Sequence, residues 1–310
     1  MIEKQESITA KLCSFARAYH SIFDKSKIFD DYLAYDMMGE DEFHAVRDMI
    51  NSGLCMDCHN DNCPHKAVLE QSVHFLAPIP LSREAYTKQT FTRFLQKHPR
   101  CQYVICGAGM DTFSFRNDDE NVTVFEIDHP DTQKYKRNRI DQLGWVVRDN
   151  IHFVSVDFSR DNLSQRLLES GFDPKVPTFV SILGVSYYLS LETLEDTIRN
   201  IDSITPEDSI IILDYPDKTT FDPSSPPRVR QLAEMTERLG ERMTRGFSIY
   251  EIARTFLNHH FEVKEHQNPE QIQQNYFCNR HDGLHAYENI HFVYAQKIAP
   301  FYAPMKTFMI

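Results

Sequence analysis

The apolar run Tyr103-Val-Ile-Cys106 leads into Gly107-Ala-Gly-Met-Asp111, and a second run, Val122-Thr-Val-Phe-Glu-Ile-Asp128, ends in a carboxylate 19 positions beyond Gly109. A strand, a glycine turn and an acidic end to the next strand outline a nucleotide-type site in a parallel α/β sheet. Gly107 and Gly109 lack a Cβ, so the backbone at Gly107-Ala108-Gly109 turns tightly and a ligand can lie close to it. Where a dinucleotide fold places a third glycine this chain has Thr112, so a pyrophosphate seated on a helix N-terminus is poorly supported. Asp111 stands inside the loop, where it repels a phosphate and can accept from an ammonium group. The loop therefore suits a nucleoside carrying positive charge. S-adenosyl-L-methionine is the common cofactor of that description.

The elements that must position these residues follow from periodicity. Strands are predicted at 102–106, 122–128, 151–157, 178–183 and 209–215, with helices at 132–143, 163–170 and 191–203 between them. Short β-rich runs separated by helices imply a parallel sheet with right-handed crossovers. Residues 179–183 and 210–213 are nearly all apolar, as in strands covered on both faces. Upstream, Leu12, Phe15, Ala16 and Tyr19 recur at helical spacing, a second helix is expected at 40–50, and Pro78 and Pro80 close this region. Ser82 is expected to cap a helix that runs to about residue 98, before Pro99. Residues 217–227 read as a loop, 228–239 and 248–258 as helices, and 261–265 and 290–295 as closing, antiparallel strands. The fold expected is α/β and Rossmann-like: a mainly parallel seven-stranded sheet with an antiparallel last strand. A helical cap is expected from 1–80, with a core over 81–310 and 217–246 contributing to the cap.

In open parallel sheets ligands sit beyond the carboxyl ends of the strands. Asp128 is placed there to take both ribose hydroxyls, since a carboxylate offers two acceptor oxygens. Asp157 can accept the adenine amino group, and Phe158 offers a stacking face. Any one strand-end Asp is more often a turn or helix cap, but acidic ends on successive strands together favour a nucleoside site. Tyr187, Tyr188 and Tyr215 follow strands and are candidates for an acceptor pocket, against packing at the sheet edge. The catalytic residue is not identified; His129 is the nearest candidate base.

Composition narrows the partners. A net charge of −12 argues against nucleic acid or anionic lipid, both of which need basic surface. Lys134, Lys136, Arg137 and Arg139 are read as the solvated face of a helix. The charged N-terminus lacks a signal-peptide core, and no apolar run approaches the roughly 18 residues of a membrane span. A cytoplasmic location is expected, and the odd count of seven cysteines points to reduced thiols. Cys55, Cys58, Cys63, His59 and His65 have the donor types of a tetrahedral zinc site, yet no second paired cysteine motif completes it. They are read as reduced surface cysteines in an insertion, with no metal.

Gly107-Ala-Gly-Met-Asp-Thr-Phe-Ser-Phe-Arg116, Phe125-Glu-Ile-Asp-His-Pro130 and Lys136-Arg137 resemble the leucine carboxyl methyltransferase-like family. The likeness extends through Val154-Ser-Val-Asp-Phe158, Gly184-Val-Ser-Tyr-Tyr-Leu189 and Gln274-Asn-Tyr-Phe-Cys-Asn-Arg280. Upstream, Ala16-Arg-Ala18, Lys27-Ile-Phe-Asp-Asp-Tyr32 and Leu81-Ser-Arg83 also fit. The resemblance implies a class I methyltransferase using S-adenosyl-L-methionine. It puts Gly107, with Ala108 and Gly109, under the cofactor, Asp128 on the ribose, and Asp157 and Phe158 beside the adenine. Arg83 would pair with the methionine carboxylate and Arg17 would supply a second basic contact.

Members that modify a protein phosphatase carry a glutamate at the fourth strand end, where this chain has Leu183. Leucine can pack on an adenosine but cannot take a proton, so the branch acting on small-molecule carboxylates or hydroxyls is favoured. Two other readings stay open on sequence: a cofactor-binding sensor without turnover and a nicotinamide-dependent oxidoreductase.

Overall fold

The computed structural model describes residues 7–54, 65–158 and 160–299. Among the described residues, five α-helices precede the sheet: α1 (Ile8–Phe23), α2 (Ala34–Met38), α3 (Glu40–Met49), α4 (His65–Leu76) and α5 (Pro78–Lys97). Then come β1 (Cys101–Cys106), α6 (Phe113–Arg116), β2 (Val122–Asp128), α7 (Pro130–Leu143), β3 (Ile151–Ser155), α8 (Leu163–Glu169), β4 (Thr178–Ile182), α9 (Leu191–Ile204) and β5 (Ile210–Pro216). The chain continues through α10 (Pro227–Arg238), α11 (Ile249–Asn258), β6 (Phe261–Gln267), α12 (Pro269–Ile272) and β7 (Ile290–Lys297).

The seven strands form one sheet in the order β3-β2-β1-β4-β5-β7-β6. β1 to β5 are parallel to one another, and β7 runs antiparallel to both β5 and β6. β1 pairs with β2 on one side and β4 on the other, with Val104 opposite both Phe125 and Val180. The strand order reverses there, and a crevice opens at the carboxyl ends of these strands.

Alternation along β1 divides the core. Tyr103 and Ile105 join the larger apolar cluster with the N-terminal helices, whereas Val104 and Cys106 join the cluster formed with α8, α9 and α11. Phe91 of α5 stacks on Tyr103 with ring centroids 5.1 Å apart, fixing α5 across the sheet. The N-terminal helices therefore share one core with a sheet face.

Two local expectations are corrected. α5 starts at Pro78, not at Ser82; the first turn of a helix leaves its N–H groups unbonded, so Pro78 and Pro80 fit there. Ser82 lies inside, its hydroxyl donating to the Pro78 carbonyl at 2.6 Å. On α7, Lys136 is not on a solvated face: it is 1% exposed, and its Nζ lies 2.5 Å from Glu126 Oε2. A lysine among the other basic residues of α7 gives no sign that a carboxylate waits beneath it. Cys55, Cys58, Cys63 and the side chain of His65 lie outside the described residues. Among the described residues, no helix is long and apolar enough to cross a membrane.

Candidate functional site

The glycine loop is held from below. The N–H groups of Gly107 and Ala108 both donate to the Ile127 carbonyl, at 2.8 and 2.9 Å, tying the end of β1 to β2. Gly107 has φ +73°, and a Cβ there would stand 2.4 Å from Val185 Cγ2, so no other residue fits. Gly109 donates its N–H to Asp128 Oδ2 at 2.5 Å, and His129 donates its own to Oδ1 at 2.7 Å. Burial pushes the Asp128 carboxyl up to about 6, and these two donors pull against that shift.

Behind the loop, Asp31 gathers three partners. It accepts from Arg17 Nε at 2.9 Å and from the Thr112 hydroxyl at 2.5 Å, and lies 3.4 Å from Arg116 Nε. Arg17 also donates through Nη2 to the Met110 carbonyl at 2.8 Å. The separate stretches around Arg17, Asp31 and Thr112 thus meet in one buried network that fixes the loop's far end. Arg17 is 4% exposed and borders the cavity with two of its donors committed to Asp31 and Met110.

At the end of β4, Gly184 turns with φ +70° and donates its N–H to Asp214 Oδ1 at 2.7 Å. Tyr187 donates its hydroxyl to Asp214 Oδ2 at 3.0 Å, and Arg83 Nη1 lies 3.8 Å from the same oxygen. A Cβ on residue 184 would meet Arg83 Nη1 at 2.4 Å, so the missing side chain is what admits the guanidinium. Arg83 Nε is buried with no hydrogen-bond partner.

These parts surround a cavity of about 630 Å³. Gly107, Ala108, Gly109 and Asp128 line it from the first two strand ends, and Asp157, Phe158 and Leu183 from the next two. Arg83, Tyr187 and Tyr188 face it as well. Asp157 stands two residues past the end of β3, its N–H donating to Asp161 Oδ2 at 2.8 Å and its carboxylate 3.6 Å from Arg160 Nε. His129 borders the cavity and caps α7 through Nδ1.

Tyr215 does not line it. Side chains alternate along a strand, and Asp214 takes the cavity side, so Tyr215 points to the opposite layer. There its hydroxyl lies 3.2 Å from His266 Nε2 and its ring stacks on His291.

Three carboxylates at this site escape a reading of the sequence. Asp214 is a lone charge in an otherwise apolar strand, and that interruption is the available signal. Glu84 follows Arg83 on α5 and is 8% exposed against the cavity. Glu241 accepts from the Ser7 hydroxyl at 3.0 Å, the Ile8 N–H at 2.7 Å and the Thr9 N–H at 3.3 Å, capping α1 from across the cavity. Nothing local in the sequence announces a contact spanning that distance along the chain.

The residues fit a nucleoside with an amino-acid end. Gly107 to Gly109 line the cavity with little side chain in the way, Asp128 sits at the second strand end, and the Arg83 guanidinium, with its Nε unpartnered, can take an anion such as a carboxylate.

Comparison with known proteins agrees with this fit. Residues 10–202 match the family model described as leucine carboxyl methyltransferase. A Bacillus subtilis (strain 168) protein, YktD, carries the name of an S-adenosyl-L-methionine-dependent methyltransferase. It is 36% identical over 307 residues, covering 96% of this chain and 100% of that protein. A similarly named Mycolicibacterium smegmatis protein is 29% identical over 53% of each chain.

Among solved structures, a DUF574 family protein from Streptomyces avermitilis superposes with a TM-score of 0.59 at 11% identity, covering 96% of this chain and 100% of that one. A protein from Thermobifida fusca, titled as a methyltransferase, gives 0.52 at 15% identity over 96% and 97%. At such identities these two speak for the fold alone. With the match over residues 10–202 and the full-length relative, the chain belongs to the leucine carboxyl methyltransferase family and is an S-adenosyl-L-methionine-dependent methyltransferase of the class I fold.

Proposed function

We propose that this methyltransferase acts on an oxygen of a small-molecule acceptor, a carboxylate or a hydroxyl. The observation that carries this reading is the wall of the cavity opposite the strand ends. Ile79 and Pro80 of α5, Leu232 and Met235 of α10, and Met243 supply an apolar surface, and the methionines can adapt to an irregular ligand. Glu241 holds α1 beside them through backbone and hydroxyl donors. The volume falls within the roughly 300–1,000 Å³ of small-molecule sites.

Tyr188 adds a hydroxyl to this lining, whereas the proton of Tyr187 is committed to Asp214. Burial raises the Tyr187 and Tyr188 hydroxyls above the usual phenol range, so both stay protonated at neutral pH. Tyr188 donates to the Thr9 hydroxyl at 3.4 Å and can turn its proton to an acceptor oxygen. A protonated hydroxyl at Tyr188 suits an oxygen that arrives ionised, which favours a carboxylate before a hydroxyl. Leu183 adds an apolar contact and no charge at the fourth strand end.

The bound cofactor supplies an electrophilic methyl on a sulfonium. The chain's own work is to hold donor and acceptor in line and to keep water out, which is where much of the rate enhancement of a displacement arises. Purified protein incubated with isotopically methyl-labelled S-adenosyl-L-methionine and a panel of aliphatic and aromatic carboxylates, phenols, amines and thiols tests this. Label is expected in base-labile methyl esters, with methyl ethers second. Transfer confined to nitrogen or sulfur, or to protein C-termini, would overturn the assignment.

A further inference from the structure

Glu84 takes no part in the contacts that shape the cavity. The residue is 8% exposed and lines the cavity, and among the described residues it makes no hydrogen bond and closes no ion pair. A buried, unbonded carboxylate costs several kcal/mol unless something compensates it. The cations around it are committed elsewhere. Arg17 serves Asp31 and the Met110 carbonyl, and Arg116 Nε donates to the Thr112 hydroxyl at 2.7 Å. Asp111, the nearest like charge, accepts the Phe113 N–H at 2.6 Å. On the adjacent position of the same helix, Arg83 keeps a buried Nε with no partner. Arg83 and Glu84 thus bring to the cavity lining a guanidinium with an unpartnered nitrogen and a carboxylate that no neighbour bonds. Both residues line the cavity, and the Arg83 guanidinium lies against Gly184.

We infer that Glu84 receives the α-ammonium of the amino-acid end of the methyl donor while Arg83 takes its carboxylate, so that adjacent residues of α5 form a clamp for a zwitterion. The inference rests on the cofactor lying in this cavity. A zwitterion needs one cation and one anion within reach of its two ends, and Arg83 and Glu84 supply them from one helix that lines the cavity. Burial, and then the charge of Asp111, raise the Glu84 carboxyl to about 7 against the opposing pull of Arg17, Arg116 and Arg83. An arriving ammonium would relieve both effects.

The test is calorimetric binding of S-adenosylhomocysteine and of its analogue lacking the α-amino group, to the wild-type protein, Glu84→Gln and Asp128→Ala. Wild type should bind the deaminated analogue about tenfold to a hundredfold more weakly, the range of a hydrogen bond to a charged group. Glu84→Gln should lose a similar factor for S-adenosylhomocysteine and no longer tell the two ligands apart. The wild-type comparison alone keeps the proposal falsifiable if the variant fails to fold.

Equal affinity of wild type for both ligands would overturn the clamp. So would a Glu84→Gln protein that still discriminates, or one whose turnover falls while its affinity for S-adenosylhomocysteine holds, since that places the carboxylate on the acceptor. Asp128→Ala separates the two levels. If it weakens binding while Glu84→Gln does not, only the clamp fails. If neither does, the placement of the cofactor fails with it.

Discussion

Asp128 Oδ2 lies 2.5 Å from the amide nitrogen of Gly109, so the carboxylate that ends β2 also holds the loop that ends β1. The glycine turn and the acidic strand end, met separately along the chain, are one device. A ligand that bonds to this carboxylate meets a group already oriented by two backbone donors, from Gly109 and His129. Asp128→Asn keeps an acceptor oxygen but loses the charge and one donor partnership. Affinity for S-adenosyl-L-methionine should fall by about tenfold to a hundredfold, and that of Asp128→Ala by more. Titration calorimetry decides it; unchanged affinity in Asp128→Ala would remove this residue from the cofactor site.

The same carboxyl predicts a pH dependence. Its value in the folded protein, about 6, lies above that of an ordinary aspartate. Between the two values the folded protein binds the proton more tightly, so this group's contribution to stability is present at low pH and is lost as pH rises through about 6. Binding works in the opposite sense, because hydroxyl donors favour the ionised form and binding then expels a proton. Glu84, raised to about 7, would act in the same direction under an ammonium. Affinity should therefore climb about tenfold between roughly pH 5 and pH 7, because a carboxyl that must ionise to bind weakens the complex as it takes up its proton. Calorimetry in buffers of different ionisation enthalpy should show proton release. A flat profile, or proton uptake, contradicts the assignment of donors to these carboxyls.

Two glycines with similar backbone angles make a paired test of the cradle. Gly107 (φ +73°) would put a Cβ 2.4 Å from Val185 Cγ2, whereas Gly144 (φ +64°), which ends α7, has nothing within 4 Å. Gly144→Ala should cost about 1 kcal/mol from backbone strain and leave cofactor binding alone. Gly107→Ala carries that strain plus a clash that pushes Val185 or the loop aside, so it should cost about 2–4 kcal/mol. It should also abolish measurable cofactor binding. Thermal melting and titration on both variants would show the contrast, and equal effects on binding would mean the loop is not a cradle.

The parts of the site that are legible in sequence are those where local chemistry is forced. A φ near +70° calls for glycine, strands covered on both sides call for apolar runs, and a carboxylate at a strand end stands out against them. Gly107, Gly109, Asp128 and the central strands are readable for that reason, while β6 shows through its alternation of buried and exposed positions. What escapes depends on partners distant in sequence. Asp214 matters through Gly184 and Tyr187, and Glu241 through residues more than two hundred positions away. Tyr215 is a pocket candidate because it follows a strand, yet strand alternation turns it away once Asp214 takes the other face. Lys136 reads as solvated because α7 is mostly polar and its buried positions, Thr132, Gln133, Lys136 and Ile140, make no apolar stripe.

Lys136 supplies the last prediction. Its ammonium and the Glu126 carboxylate are each about 1% exposed, and Glu126 is further held by the Ser114 hydroxyl at 2.6 Å. Glu126 is two positions before Asp128 on β2, so this pair fixes α7 against the strand that carries Asp128. Breaking a buried pair from one side leaves a charge with no compensation, which costs about 3–5 kcal/mol, whereas removing both charges is often close to neutral. Lys136→Met should thus lower the urea midpoint strongly. Glu126→Gln combined with Lys136→Met should recover most of the loss. If the pair serves only to anchor α7, the double variant should bind S-adenosyl-L-methionine within about twofold of wild type, a difference of only a few tenths of a kcal/mol. A double variant as stable as wild type but tenfold weaker in binding would instead show that the buried charges tune Asp128, two residues along the same strand.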